Sequence, residues 1–276
     1  MPSYRVIKSG HIVEIYKYQC SISRKIDDTF LSDKGGRHNE GKEERKKEYA
    51  GTVNQNARNK IRRLISANFS QESLFITLTY RDDVKDVKQG NYDLKKFVQK
   101  MKRRQKDFQY VAVIEFQEKR GGVIHYHMLC NYRLTWESHS QLQAYERELG
   151  KVWTHGYVDI GYKKTDNAGA YLIKYMTKDN DDIRLKGQKR YFFSRNLEQP
   201  KELLGVEAVE VIKEFENLPP VFTNDYYSDF HGKVEYAEFN PMRYDYNAYN
   251  NSIKALQENC INKAFEIFGD IVEVIE

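Results

Sequence analysis

The residues best suited to chemistry are His125 and His127, in the run "VIHYHMLC" (123–130). The run is apolar and β-branched, so it reads as a strand. Side chains on a strand alternate faces, which puts both imidazoles on one face and Tyr126 on the other. Two adjacent imidazoles repel each other when charged, but as neutral ligands they suit one divalent cation. The preceding apolar run "YVAVIEF" (110–116) connects through a turn at Gly121-Gly122. In an antiparallel hairpin about that turn, Glu115 falls beside His125 or His127. Two imidazoles and one carboxylate leave positions open for water or a substrate oxygen. That set fits Mg²⁺ or Mn²⁺ better than a closed structural zinc site. Gln117 and Glu118 compete for the third place, with Glu118 nearer the turn and solvent.

A second group lies in "AYLIKYMTKD", which spaces Tyr171 and Tyr175 four residues apart. On a helix that spacing is one face, and Lys174 and Lys178 form a second pair on an adjoining face. Leu172, Ile173 and Met176 supply apolar contacts to a core. A phenol attacks phosphorus when a cation draws charge from the phosphate and nearby ammonium groups stabilise the phenolate.

These groups need a scaffold. "LFITLTY" (74–80) reads as a strand and "YDLKKFVQKMKRRQK" (92–106) as a helix, with Leu94, Phe97, Val98 and Met101 at core spacing. After the hairpin come a helix (138–153), a strand (156–161) and the tyrosine helix (167–178), capped by Asp166 or Asn167. The order β-α-β-β-α-β with right-handed crossings predicts an α+β chain. Its sheet would be antiparallel and ferredoxin-like (split β-α-β), with helices on one face. Residues 1–30 predict a hairpin or an edge pair and 33–63 an arm running into a helix. Residues 190–204 read as extended or irregular, 206–218 as a helix, 224–250 as loop-rich and 251–275 as a terminal helix. This divides the chain into 1–69 (N-terminal strands and basic arm or helix), 70–204 (the domain carrying the chemistry) and 205–276 (an acidic, mostly helical extension).

The chain has 276 residues and a net charge of +5, unevenly distributed. Residues 205–276 carry 5 Lys/Arg and 14 Asp/Glu, leaving 40 and 26 in residues 1–204. A basic body with an acidic tail points to a polyanionic partner. Within 92–106, Lys95, Lys96, Lys100, Lys102, Arg103 and Arg104 are candidates to track phosphates, as is Lys178 beside the tyrosines. Tyr80, Phe116 and Tyr126 are candidate surfaces for stacking unpaired bases. Three scattered cysteines point to a reducing compartment. With no apolar span or leader run, a cytoplasmic location without membrane contact is expected. No G-x-x-x-x-G-K-S/T pattern occurs, so no nucleotide cofactor is expected.

"FITLTY", His125-Tyr126-His127 and Y-x-x-K-Y (Tyr171, Lys174, Tyr175) together resemble the three motifs of HUH endonucleases. The likeness is strongest to two-tyrosine rolling-circle replication initiators of single-stranded DNA phages and bacterial plasmids, and it covers about residues 70–205. It implies the HUH endonuclease fold and a metal held by Glu115, His125 and His127. It implies nicking of single-stranded or supercoiled origin DNA through a 5′-phosphotyrosine on Tyr171 or Tyr175, with Lys174 assisting. A host polymerase would then extend the free 3′-OH, and a host helicase is a further expected partner. Two rival readings remain: an HUH relaxase or single-strand transposase, and a non-catalytic single-stranded nucleic-acid-binding module of similar architecture. Two-histidine phosphoesterases usually need a pair of H-x-S/T motifs, which these histidines do not make.

Overall fold

The computed structural model describes residues 3–20, 42–162, 165, 167–176, 183–228 and 231–244. The elements in chain order are β1 (Ser3–Ser9), β2 (Ile12–Tyr18), α1 (Lys42–Asn68), β3 (Leu74–Tyr80), α2 (Val87–Arg104), β4 (Tyr110–Gln117), β5 (Val123–Cys130), α3 (His139–Trp153), β6 (Gly156–Tyr162), α4 (Ala168–Ile173), β7 (Tyr191–Phe193), β8 (Lys201–Leu204), α5 (Val206–Phe215), β9 (Phe222–Ser228) and β10 (Gly232–Phe239). Short 3₁₀ turns lie between them, one continuing α4 through Lys174–Met176. Among the described residues the fold is α+β with two antiparallel five-stranded sheets. No helix among the described residues is long and apolar enough to cross a membrane.

The residues group into two compact units, Met1–Asn39 with Gln199–Glu276, and Glu40–Glu198. They do not follow the three consecutive segments read from the sequence, because long-range pairing joins the ends. β1 pairs with β8, and β2 with β10. That unit has the sheet order β8-β1-β2-β10-β9. Ala208, Val211, Ile212 and Phe215 of α5 pack on Val6, Val13, Ile15, Ala237 and Phe239. Part of the segment read as loop-rich is thus the β9–β10 pair; the terminal helix at 251–275 and the arm at 33–41 lie outside the described residues.

The second unit has the sheet order β6-β3-β5-β4-β7, every neighbour antiparallel. Its first four strands follow the split β-α-β arrangement. The crossover helices α2 and α3 lie on one face. Leu94, Phe97 and Met101 of α2 and Leu149, Val152 and Trp153 of α3 join the inward residues of β3–β6 in one core. The helix α2 starts earlier than its apolar spacing predicts, because the Asp86 side chain accepts from Lys88 N and caps it. The opposite face is covered over part of its area by α1 and α4, an addition to the two crossover helices. Ile61, Leu64 and Ile65 of α1 and Leu172 and Met176 pack there on Phe75, Val111, Val113 and Leu129.

α4 lies close against α1. A Cβ on Gly169 would stand 2.7 Å from Arg62 O and 3.1 Å from Arg62 Cα. Backbone atoms cannot turn aside as a side chain can, so Gly169→Val is expected to cost about 1–3 kcal/mol by overpacking. A thermal melt measures that loss.

Candidate active site

The pairing register builds the site. β4 and β5 place Glu115 opposite His125 and Val113 opposite His127. β3 adds Thr79 opposite His125 and Thr77 opposite His127 on the other side. Glu115, His125 and His127 therefore share one face, as strand alternation requires. Their ligand-capable atoms lie within 4.8 Å of one another. Both histidines are buried, each 6% exposed.

His127 Nε2 lies 2.6 Å from Glu115 Oε2, and its Nδ1 lies 3.3 Å from Thr77 Oγ1. The threonine hydroxyl can donate or accept, so it supports either tautomer of the ring. With Nδ1–H donating to Thr77, the Nε2 lone pair is free for a cation. His125 Nε2 is buried with no hydrogen-bond partner among the described residues. A buried polar atom without a partner is costly. A divalent cation bound by the two imidazoles and the carboxylate would satisfy it, so this cluster can hold a metal ion.

Burial and the neighbouring His127 hold His125 down at about 4; Glu115 opposes the shift, and Arg120 adds to it. The imidazole is thus neutral at pH 7, as a metal ligand must be. The unfolded chain has the ordinary value, about 6.5. Unfolding therefore takes up a proton between pH 4 and 6.5, and His125 makes stability fall as pH drops through that window. The loss reaches about 3 kcal/mol at the lower end, with no contribution above it. Urea unfolding in EDTA at pH 5 and pH 7 tests this. His125→Phe is expected to flatten the difference.

The tyrosines arrive from α4. Asn167 caps the helix, its Oδ1 accepting from Ala170 N at 2.8 Å. Leu172 and Met176 anchor it in the core. The Tyr175 ring stacks on His127 with centroids 3.7 Å apart. The Tyr171 and Tyr175 hydroxyls are 3.2 Å apart. The Lys174 ammonium lies 5.3 Å from the centre of the Tyr171 ring. Burial, then the Tyr171 hydrogen bond and the charge of Glu115, push the Tyr175 phenol well above its usual range. A small pocket beside Tyr175 is lined by Glu115, Met176, Leu185 and Arg190, among others.

The structure thus brings together Glu115, His125, His127, Tyr171, Lys174 and Tyr175. Glu118 instead pairs with Arg184 at 2.8 Å. Lys178 and Asp166 lie outside the described residues. The basic helix does not converge on the site, because α2 covers the sheet face opposite the histidines. Lys95, Lys96, Lys102 and Arg103 are exposed there. Lys100 donates to Val152 O at 2.8 Å, and Arg104 pairs with Glu148. Tyr80, Phe116 and Tyr126 also point to that opposite face, are buried, and offer no surface to a base.

Two contributors were not singled out from the sequence, although both lie in "FITLTY". Thr77 supports His127. Phe75 packs against His127, Tyr171 and Tyr175 at centroid distances of 5.8, 5.3 and 6.3 Å. Strand parity, which groups Phe75, Thr77 and Thr79, is the signal that finds them.

Residues 73–180 match the family model described as replication-associated protein ORF2/G2P. The matched span runs from β3 past the tyrosines and includes every residue of the cluster. Comparison with curated proteins and with solved structures returns no match. The family similarity supports a replication-associated role.

Proposed function

We propose that the protein initiates rolling-circle replication by nicking and rejoining a single strand of origin DNA. One observation carries this reading: the Tyr175 ring stacks on His127, beside Glu115 and His125, and its hydroxyl lies 3.2 Å from that of Tyr171. Attack on a phosphate held by a cation requires a phenol beside the cation's ligands, and this proximity supports the reading. The similarity of residues 73–180 to a replication-associated family adds to it.

Glu115, His125 and His127 would hold Mg²⁺ or Mn²⁺, which would supply Lewis-acid charge to the scissile phosphate. A phenol oxygen attacks phosphorus in line with the bond to O3′. The new bond joins tyrosine to the 5′-phosphate, and the bond to O3′ breaks. The departing O3′ takes a proton and becomes a free 3′-OH. The attacking phenol gives up its own proton, and the neighbouring phenol is placed to donate a hydrogen bond to the resulting phenolate. The Lys174 ammonium adds positive charge nearby. The phosphotyrosine conserves the energy of the cleaved linkage, so a 3′-OH can reverse the step without ATP. The second tyrosine supplies a second such exchange.

The test is incubation of the full chain with labelled single-stranded origin oligonucleotides and Mn²⁺. A protein–DNA adduct that survives denaturation is expected, and none in EDTA. No adduct on any origin tested overturns the enzyme reading in favour of a binding module. Adducts formed only at transfer origins or element ends favour a relaxase or transposase.

A further inference from the structure

We propose that Tyr157 and Arg81 form a base-stacking subsite for the nucleotide adjoining the phosphate held at Glu115, His125 and His127. The proposal deepens the single-strand cleavage reading above and rests on it. The pairing register carries it. Thr79 pairs with His125 on one side and with Tyr157 on the other. With Glu115 opposite His125, the four residues Glu115, His125, Thr79 and Tyr157 form one cross-strand row on one face. Strands lie about 4.8 Å apart, so Tyr157 is roughly 10 Å from His125 along that row. The sugar and base of a single nucleotide bridge such a span.

The row changes character along its length. The histidines are buried, Thr79 is half-buried, and Tyr157 is 63% exposed. β6 is the edge strand of its sheet. The Arg81 guanidinium carbon lies 5.8 Å from the centre of the Tyr157 ring. A planar cation beside a solvent-facing phenol offers a base an aromatic face and a phosphate a charge, the combination that binds unpaired strands.

The platform is also built rather than draped. Arg81 N donates to His155 O at 2.9 Å, and Trp153 Nε1 donates to Thr79 O at 3.1 Å. Gly156 lets β6 approach closely: a Cβ there would fall 2.2 Å from Thr79 O and 2.5 Å from Arg81 N. Both partners of the subsite are therefore held by a rigid strand end. Asp159, the next residue of β6 on the same face, is exposed and pairs opposite Thr77. Its carboxylate repels a sugar-phosphate backbone from the neighbouring row and leaves the Thr79–Tyr157 row as the path.

The test is anisotropy of the full chain in EDTA with a fluorescein-labelled random single-stranded 12-mer, since stacking tolerates any base. Tyr157→Ala is expected to weaken binding about tenfold, while Tyr157→Phe retains wild-type affinity. Arg81→Ala is expected to weaken binding and lower the salt slope by about one. If wild type binds and Tyr157→Ala binds equally well, the subsite is overturned. It is also overturned if Tyr157→Phe fails as badly as Ala, or if wild type does not bind the 12-mer. Adduct formation with Mn²⁺ on the same preparation reports the nicking reading separately, so either can fail alone.

Discussion

Tyr175→Phe is expected to abolish the first cleavage, lowering adduct formation by roughly 10³-fold or more, as loss of a nucleophile does. Tyr171→Phe is expected to leave that cleavage within about tenfold of wild type and to lose the second strand transfer. The asymmetry follows from position. Both phenols approach Phe75, but Tyr175 alone stacks on His127, and it lines the cavity that also contains Glu115. A phosphate bound at the carboxylate and imidazoles meets Tyr175 first. Burial raises the Tyr175 phenol most, then the Tyr171 hydrogen bond, with Glu115 adding least; a cation bound beside it would offset the Glu115 charge and favour the phenolate. Tyr171, one helical turn back, hydrogen-bonds to Tyr175 and is placed to act second. A single-turnover assay on a labelled oligonucleotide separates the steps: adduct yield reports the first, and appearance of a rejoined product with a second oligonucleotide reports the other. Equal loss of adduct in both variants would refute the order. An adduct persisting in the double Phe variant would refute the nucleophiles altogether.

The cluster was legible in the sequence where local periodicity governs it. A period of two along 123–130 and a turn at Gly121-Gly122 are enough to set Glu115 beside the histidines. A spacing of four is enough to put Tyr171 and Tyr175 on one helix face. The β-α-β-β-α-β order gave the strand neighbours of the second unit. What escaped depends on contacts between distant segments. Nothing in "YRVIKSG" signals that β1 pairs with Lys201–Leu204, some 200 residues later. The basic helix shows the same limit differently. Its apolar stripe says that lysines face solvent, but not which side of the sheet the helix covers. That choice follows from the crossovers, and it placed Lys95, Lys96, Lys102 and Arg103 away from the histidines. Tyr80 and Tyr126 were misread for a related reason. Composition marks an aromatic residue as a stacking candidate, whereas register decides whether it faces a core or an open surface, and Tyr157 lies on the open side.

Removal of a ligand from the histidine face is the second large effect. His125→Ala and His127→Ala are each expected to weaken Mn²⁺ binding by on the order of 10²-fold or more, and adduct formation with it. Among the described residues Glu115, His125 and His127 are the three that could hold the ion, so deleting one would leave two. Glu115→Gln keeps the shape, removes the negative charge and is expected to act in the same direction. Thr77→Val probes the support behind the ligand. It deletes the hydroxyl 3.3 Å from His127 Nδ1 and nearly preserves volume, so a loss of about tenfold in metal affinity is expected, in the range for outer-shell partners. Isothermal titration with Mn²⁺ separates these grades without reference to DNA. The stability readout runs the opposite way for one variant. His125 is buried and its Nε2 has no partner among the described residues, so in EDTA its replacement by Phe removes an unsatisfied polar atom. That variant is expected to melt no lower than wild type without metal, and to lose the rise in melting temperature that Mn²⁺ gives wild type. A metal-dependent rise that survives in both His125→Phe and His127→Ala would place the cation elsewhere and remove the electrophilic half of the proposed chemistry.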